Sequence, residues 1–246
     1  MAKPQSMTNT PNDIIDKKLI PIKKEGDNMK IKWYGHAAFK ITTDKGVRII
    51  IDPYESGAFG GALAYGKITE EADIVLTSHD HDDHNYTKDI KGSFTQIKQG
   101  VAHNMNNLVI KAIPTHHDSS KGKERGDNLV FVIEADGLTL AHMGDLGHAL
   151  EKDTIDKIGK VDILLLPVGG FYTIDAGEAT KVMNDIGPAI TIPMHVKTDK
   201  CDFPIAKVSE FTAGKKGVKA AKTSEIEINK TGLPVEPEII VMEYAL

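Results

Sequence analysis

Four short apolar runs in this chain each lead, within a few residues, to histidine or aspartate, and this repetition restricts the fold more than any other feature. Residues 73–77 (DIVLT) run directly into Ser78-His79-Asp80-His81-Asp82-Asp83-His84. Residues 108–113 lead to Pro114-Thr115-His116-His117-Asp118, residues 138–141 to His142-Met143-Gly144-Asp145, and residues 189–193 to Met194-His195. Short apolar runs bounded by turn formers read as buried strands. α/β sheets collect ligand sites at the carboxyl ends of strands. A fold that aligns these four ends therefore gathers all of these side chains at one edge. One histidine after a strand is usually a satisfied structural residue; four such ends are not explained that way.

The run from His79 to His84 packs three histidines and three aspartates into six residues. Imidazole and carboxylate donors of this kind suit zinc, manganese or iron. So many carboxylates close together repel one another and shift each other's pKa values. One or two divalent cations would relieve that repulsion.

Strands are expected over residues 29–34, 38–42 and 47–51 as a meander, then over 73–77, 108–113, 128–134, 138–142, 161–166 and 189–193, with 225–228 the last. Helices are expected over 149–158, 175–185 and 205–212, the second stopped by Gly187-Pro188. Strands cluster early and then alternate with helices, which predicts a single α/β domain over residues 29–246, two mixed sheets with helices outside in four layers. Residues 1–28 read as an N-terminal extension in which segment 14–22 could dock as an edge strand.

Thirty basic against 35 acidic residues, with no long basic block, disfavour a nucleic-acid partner. No apolar stretch reaches the roughly 20 residues that cross a bilayer, and the N-terminus lacks the apolar core of a signal peptide. A cytoplasmic protein is expected. The one cysteine, Cys201, excludes an intrachain disulfide and a cysteine-based zinc cluster, and reads as a small loop residue.

His79-x-His81-x-Asp83-His84, followed in order by the segments of His117, Asp145 and His195, resembles the signature of the metallo-β-lactamase superfamily. Within it, the chain is similar to metal-dependent hydrolases related to bacterial ascorbate-phosphate lactonases. That likeness is carried by Trp33-Tyr34-Gly35-His36-Ala37-Ala38-Phe39, Ile51-Asp52-Pro53, His142-Met143-Gly144-Asp145-Leu146-Gly147, Leu166-Pro167-Val168-Gly169-Gly170 and Ile192-Pro193-Met194-His195, and covers residues 29 to about 215. The resemblance implies an αββα sandwich with two divalent metal ions, zinc first, manganese or iron as alternatives. His79, His81 and His117 would hold one metal and Asp83, His84 and His195 the other, with Asp145 bridging. His117 is chosen over His116 by the family's Pro-x-x-His-x-Ser pattern. A homo-oligomer is a further implication.

Two metals can share a hydroxide and polarise a carbonyl or phosphoryl oxygen, so the expected reaction is hydrolysis of a small ester, lactone or phosphoester by a metal-bridging hydroxide. Asp83 or Asp145 would orient it and accept its proton. A phosphodiesterase or nuclease-type hydrolase and an iron-dependent redox enzyme are the alternatives. Around the ligands, His36 would stand behind them or touch substrate, Asp52 would orient a ligand histidine through its free ring N–H, and His142 would lie behind Asp145. His103 and His148 read as surface histidines. Asp118, where relatives often carry serine, would stand behind the ligands or meet a substrate; Lys197, beside His195, reads as a solvated side chain, with contact to an anionic substrate as the alternative. Gly169-Gly170 is either a close approach to substrate or a plain turn, with Phe171, Tyr172 and Thr173 as pocket candidates. The glycine-rich segment 56–66 is a surface loop or a lid.

Overall fold

A computed structural model describes residues 28–100, 102–105 and 108–246. The expected extension, with its docking segment 14–22, lies outside the described residues except for Asn28, as does the side chain of His103.

Two sheets stack face to face. In the first, β1 (Asn28–Gly35), β2 (Ala38–Thr42) and β3 (Arg48–Ile51) form the expected antiparallel meander. β4 (Ile74–Leu76) and β5 (Thr95–Ile97) extend it in parallel, and β13 (Glu225–Asn229) closes the other side against β1. The second sheet runs β12 (Val218–Ala220), β14 (Glu238–Val241), β11 (Ile190–Met194), β10 (Ile163–Pro167), β9 (Leu138–His142), β8 (Asp127–Ala135), β7 (Leu108–His116) and β6 (Ala102–Met105). Alternation in β1 turns Met29, Ile31 and Trp33 inward, where they meet Phe131, Leu140 and Leu165 of the facing sheet in one core. β10 is buried along its whole length, as expected for a central parallel strand covered on both faces.

The helices α1 (Lys152–Ile158), α2 (Ala176–Ile186) and α3 (Val208–Thr212) all cover the eight-stranded sheet, α3 by way of α2. Asp175 caps α2 by accepting the N–H groups of Gly177 and Glu178, Glu178 returns to the Asp175 N–H, and Gly187 ends the helix in the left-handed region. Among the described residues the outer layer over the six-stranded sheet is made of loops. Tyr54, Leu63, Tyr65, Ile90 and Phe203 supply enough apolar surface there to form a second core.

Four strands escape the sequence pattern: β5, β6, β12 and β14. They are short and lie at or near sheet edges, so periodicity carries little signal. β13 is therefore not the last strand, and β7 continues past Ile113 to His116. α1 and α3 each start three residues later than expected; neither has a side-chain cap to mark its start. Among the described residues, no helix is long and apolar enough to cross a membrane.

Candidate metal centre

The loops after β4, β7, β9 and β11, together with the turn between β1 and β2, converge at one edge of the sandwich. They bring His79, His81, His84, His117, His195, Asp83 and Asp145 together. Ligand-capable atoms of His79, His81 and His117 lie within 4.8 Å of one another, as do those of His36, Asp83, His84 and His195. Asp145 stands between the groups: its Oδ2 is 3.2 Å from His84 Nε2, 3.1 Å from His117 Nε2 and 3.3 Å from His195 Nε2.

A second set of residues aims the first. Asp52 is fully buried; its carboxylate accepts the N–H (2.7 Å) and hydroxyl (2.7 Å) of Ser78 and lies 3.1 Å from His84 Nδ1. The Nδ1–H of His84 donates to Asp52, which leaves Nε2 turned toward Asp145. Ser78 Oγ also contacts His79 Nδ1 at 2.9 Å, leaving His79 Nε2 buried with no partner. His142 donates from Nε2 to the Ala37 carbonyl and accepts the Gly144 N–H at Nδ1, so it shapes the turn that carries Asp145. Asn128 accepts the Asp145 N–H and donates to the Met143 carbonyl.

Backbone geometry adds to this. His36, Asp52 and His195 all have φ near +50°, a region that costs a non-glycine residue on the order of 1–3 kcal/mol and clusters at functional sites. Hydrogen bonds hold two of them: the His36 carbonyl accepts both the Trp33 indole N–H and the His195 N–H. At Gly147 an added Cβ would lie 2.3 Å from the His117 carbonyl, and at Gly169 2.1 Å from that of His195. Both positions need glycine so that the segments carrying His117 and His195 can approach.

The electrostatics suit a cation. Burial lowers the pKa of His79 to about 3 and that of His36 to about 4, so both imidazoles are neutral with a free lone pair. His84 differs. Burial lowers its pKa, but the carboxylates of Asp145 and Asp83 outweigh burial and hold it well above 6.5. Burial raises the carboxyls of Asp83 and Asp145, yet the surrounding histidines pull both well below the ordinary range. Asp145 Oδ1 and the Nε2 atoms of His79, His84 and His195 are buried without a hydrogen bond. Orphaned donors of this kind, converging from two sides, fit divalent cations better than they fit one another.

The structure also places the remaining candidates. His36 is fully buried and hydrogen-bonds Asp83 Oδ2 at 3.1 Å through Nε2, which puts it behind that carboxylate. Asp118 is also buried; its carboxylate accepts the backbone N–H groups of Ser120, Gly122, Glu124 and Arg125. Lys197 is spent on Asp202 (2.7 Å) and the Phe203 carbonyl (3.0 Å). Gly169 serves packing against His195. Segment 56–66 is tied down by Ser56 Oγ to the Tyr65 carbonyl and by Ala64 N–H to the Lys200 carbonyl. Cys201 is a buried free thiol. Ser78, Asn128 and Arg125 were not singled out by sequence. The polar, strand-disfavoured Asn128 at the head of an apolar run was the available signal.

His36→Ala should weaken metal binding at the group of Asp83, His84 and His195 about 10- to 100-fold, the usual weight of a partner that orients a ligand. His36→Gln should recover part of this. Metal affinity by competition with a chromophoric chelator reads the effect, and equal affinity in the wild type and the alanine variant would remove the role.

Comparison with known proteins agrees with this geometry. Residues 30–195 match the Beta-lactamase superfamily domain. A UPF0173 metal-dependent hydrolase of Carboxydothermus hydrogenoformans is 30% identical over 211 residues, covering 74% of this chain and 90% of the relative. One from Thermoplasma acidophilum is 31% identical over 196 residues, 70% of this chain and 85% of that protein. A crystal structure of a metallo-β-lactamase superfamily protein from Thermotoga maritima superposes with a TM-score of 0.73 at 33% identity, covering 88% of this chain and 100% of that one. The chain thus belongs to the metallo-β-lactamase superfamily and, within it, to the UPF0173 metal-dependent hydrolases.

Proposed function

We propose that this metal-dependent hydrolase works through two divalent ions on a small ester, lactone or phosphoester. His79, His81 and His117 hold one ion, and Asp83, His84 and His195 the other. The observation that carries this reading is Asp145: a single buried carboxylate oxygen within 3.3 Å of histidine nitrogens from both groups is placed to bridge. Zinc is the first choice, given an all-histidine and carboxylate donor set and a Thermotoga maritima relative described as Zn-dependent.

Bound ions of this type supply a water acidic enough to yield hydroxide near neutral pH and a Lewis acid for the developing oxyanion. The chain's own part is orientation and proton handling. Asp52 and Ser78 fix the rings of His84 and His79, His36 holds Asp83 Oδ2, and Asp83 and Asp145 face the reacting volume with oxygens able to orient a water and take its proton. The cavity above them, about 390 Å³, lies at the small end of the roughly 300–1,000 Å³ range of ligand pockets, which favours a small molecule over a polymer.

Protein purified without chelator should carry about two equivalents of zinc or manganese and should hydrolyse members of a lactone, aryl ester and phosphodiester panel. Activity should vanish with a chelator and return with metal. Iron together with oxygen consumption would favour the redox alternative; protein that binds no metal at any concentration would end the proposal.

A further inference from the structure

The cavity over the metal centre is lined by one cationic side chain, Arg125, which no described carboxylate pairs with. The chain has only two arginines, Arg48 and Arg125. Arg48 is held by Asp73, at 2.8 and 3.0 Å, and by Glu71. Arg125 lines the cavity with no ion pair or side-chain hydrogen bond among the described residues, its guanidinium carbon 5.9 Å from the centre of the ring of Tyr172, another lining residue. Phe59, Tyr172 and Phe203 wall the same cavity. Phe59 is 53% exposed and packs edge-on against Phe203, as does Tyr172. Of the acids nearby, Asp80 accepts from Asn85 and Glu124 from Ser120.

The loop bearing Arg125 is built to hold it there. Asp118, directly after His117, gathers four backbone N–H groups of residues 120–125 at 2.7–3.0 Å, and the His117 N–H donates to the Gly126 carbonyl. Arg125 is thereby tied, through a closed loop, to a histidine of the metal centre. A guanidinium presents a planar fork that matches carboxylate and phosphate oxygens, which an ammonium does not.

We propose that Arg125 is the anion-recognition residue of this hydrolase. It pairs with a carboxylate or phosphate oxyanion of the substrate, distinct from the bond that is cleaved, while Phe59, Tyr172 and Phe203 hold the substrate's apolar or ring portion. The substrate class is then a small ester, lactone or phosphoester that carries a free anionic group. This assignment rests on the two-metal hydrolase reading above.

The test is calorimetric binding to the metal-loaded protein of phenylphosphonate, benzoate, inorganic phosphate and neutral benzamide, with metal content measured on every sample. Arg125→Ala should weaken phenylphosphonate or benzoate about 10- to 100-fold, the weight of a charge-assisted hydrogen bond, and leave benzamide and metal content unchanged. Arg125→Lys should recover only part of the loss. Preference between the two aromatic anions separates phosphate from carboxylate recognition. Phe59→Ala should weaken phenylphosphonate and spare inorganic phosphate. Equal anion affinity in the wild type and Arg125→Ala, at equal metal content, would overturn the proposal. Absence of metal from the wild type would instead strike the two-metal reading, while the Arg125-dependent difference in anion affinity would still be read directly.

Discussion

Asp145→Ala is expected to lose metal from both halves of the centre and to lower kcat/KM by on the order of 10³-fold or more. A metal clamp contributes several kcal/mol to the transition state, and each ~1.4 kcal/mol is a factor of ten. The size follows from position. Asp145 Oδ2 meets His84, His117 and His195, so one carboxylate oxygen joins histidines of both groups. The turn itself should survive, because Asn128 holds the Asp145 backbone N–H rather than its side chain. Asp145→Asn is the informative companion: it keeps the shape and drops the charge, and should retain more metal than alanine but less than the wild type. Elemental analysis and kcat/KM on the same preparations decide the matter. A variant that keeps two equivalents would show that Asp145 does not bridge.

Asp52→Ala carries the second-largest expected effect, and it falls on folding as much as on metal. The side chain is fully buried, accepts from Ser78 twice and meets His84 Nδ1. Removing one member of a buried, hydrogen-bonded pair costs about 3–5 kcal/mol, because the partner is left uncompensated. Metal affinity should fall a further ~10- to 100-fold once His84 is free to turn. Urea unfolding with chelator present separates the two effects, since bound metal would add its own stabilisation to the folded state. The pH dependence has a definite sign. Burial raises the Asp52 carboxyl, but His84 outweighs it, and the folded pKa lies below the unfolded 3.8. Its contribution is therefore complete above about pH 3.8 and lost as pH falls through the folded value. Unchanged unfolding midpoints and unchanged metal affinity in Asp52→Ala would refute the bracing role.

The strands of the two sheets were legible where apolar residues recur strongly, as in β1, β4 and β10. They were not legible at the edges, where β5 (TQI) and β12 (VKA) are short and partly or wholly exposed. Local cues also marked α2, whose cap Asp175 and stop Gly187 are written in neighbouring residues. The starts of α1 and α3, which lack side-chain caps, could only be placed once the helices were packed.

By itself, the sequence determined the set of side chains that gather at the sandwich edge. His79, His81, Asp83 and His84 sit in one run behind an apolar strand, and donor chemistry is a property of residue type. Only the tertiary structure decided how they are held and what lies above them. His36 reaches Asp83 across 47 residues, Asp52 reaches Ser78 across 26, and His142 reaches the Ala37 carbonyl across 105. Lys197 and Arg125 carry the same charge in the sequence. Folding places Asp202 against the first and leaves the second facing the cavity. Such contacts depend on which segments the two sheets bring together, and no local pattern of residues encodes that.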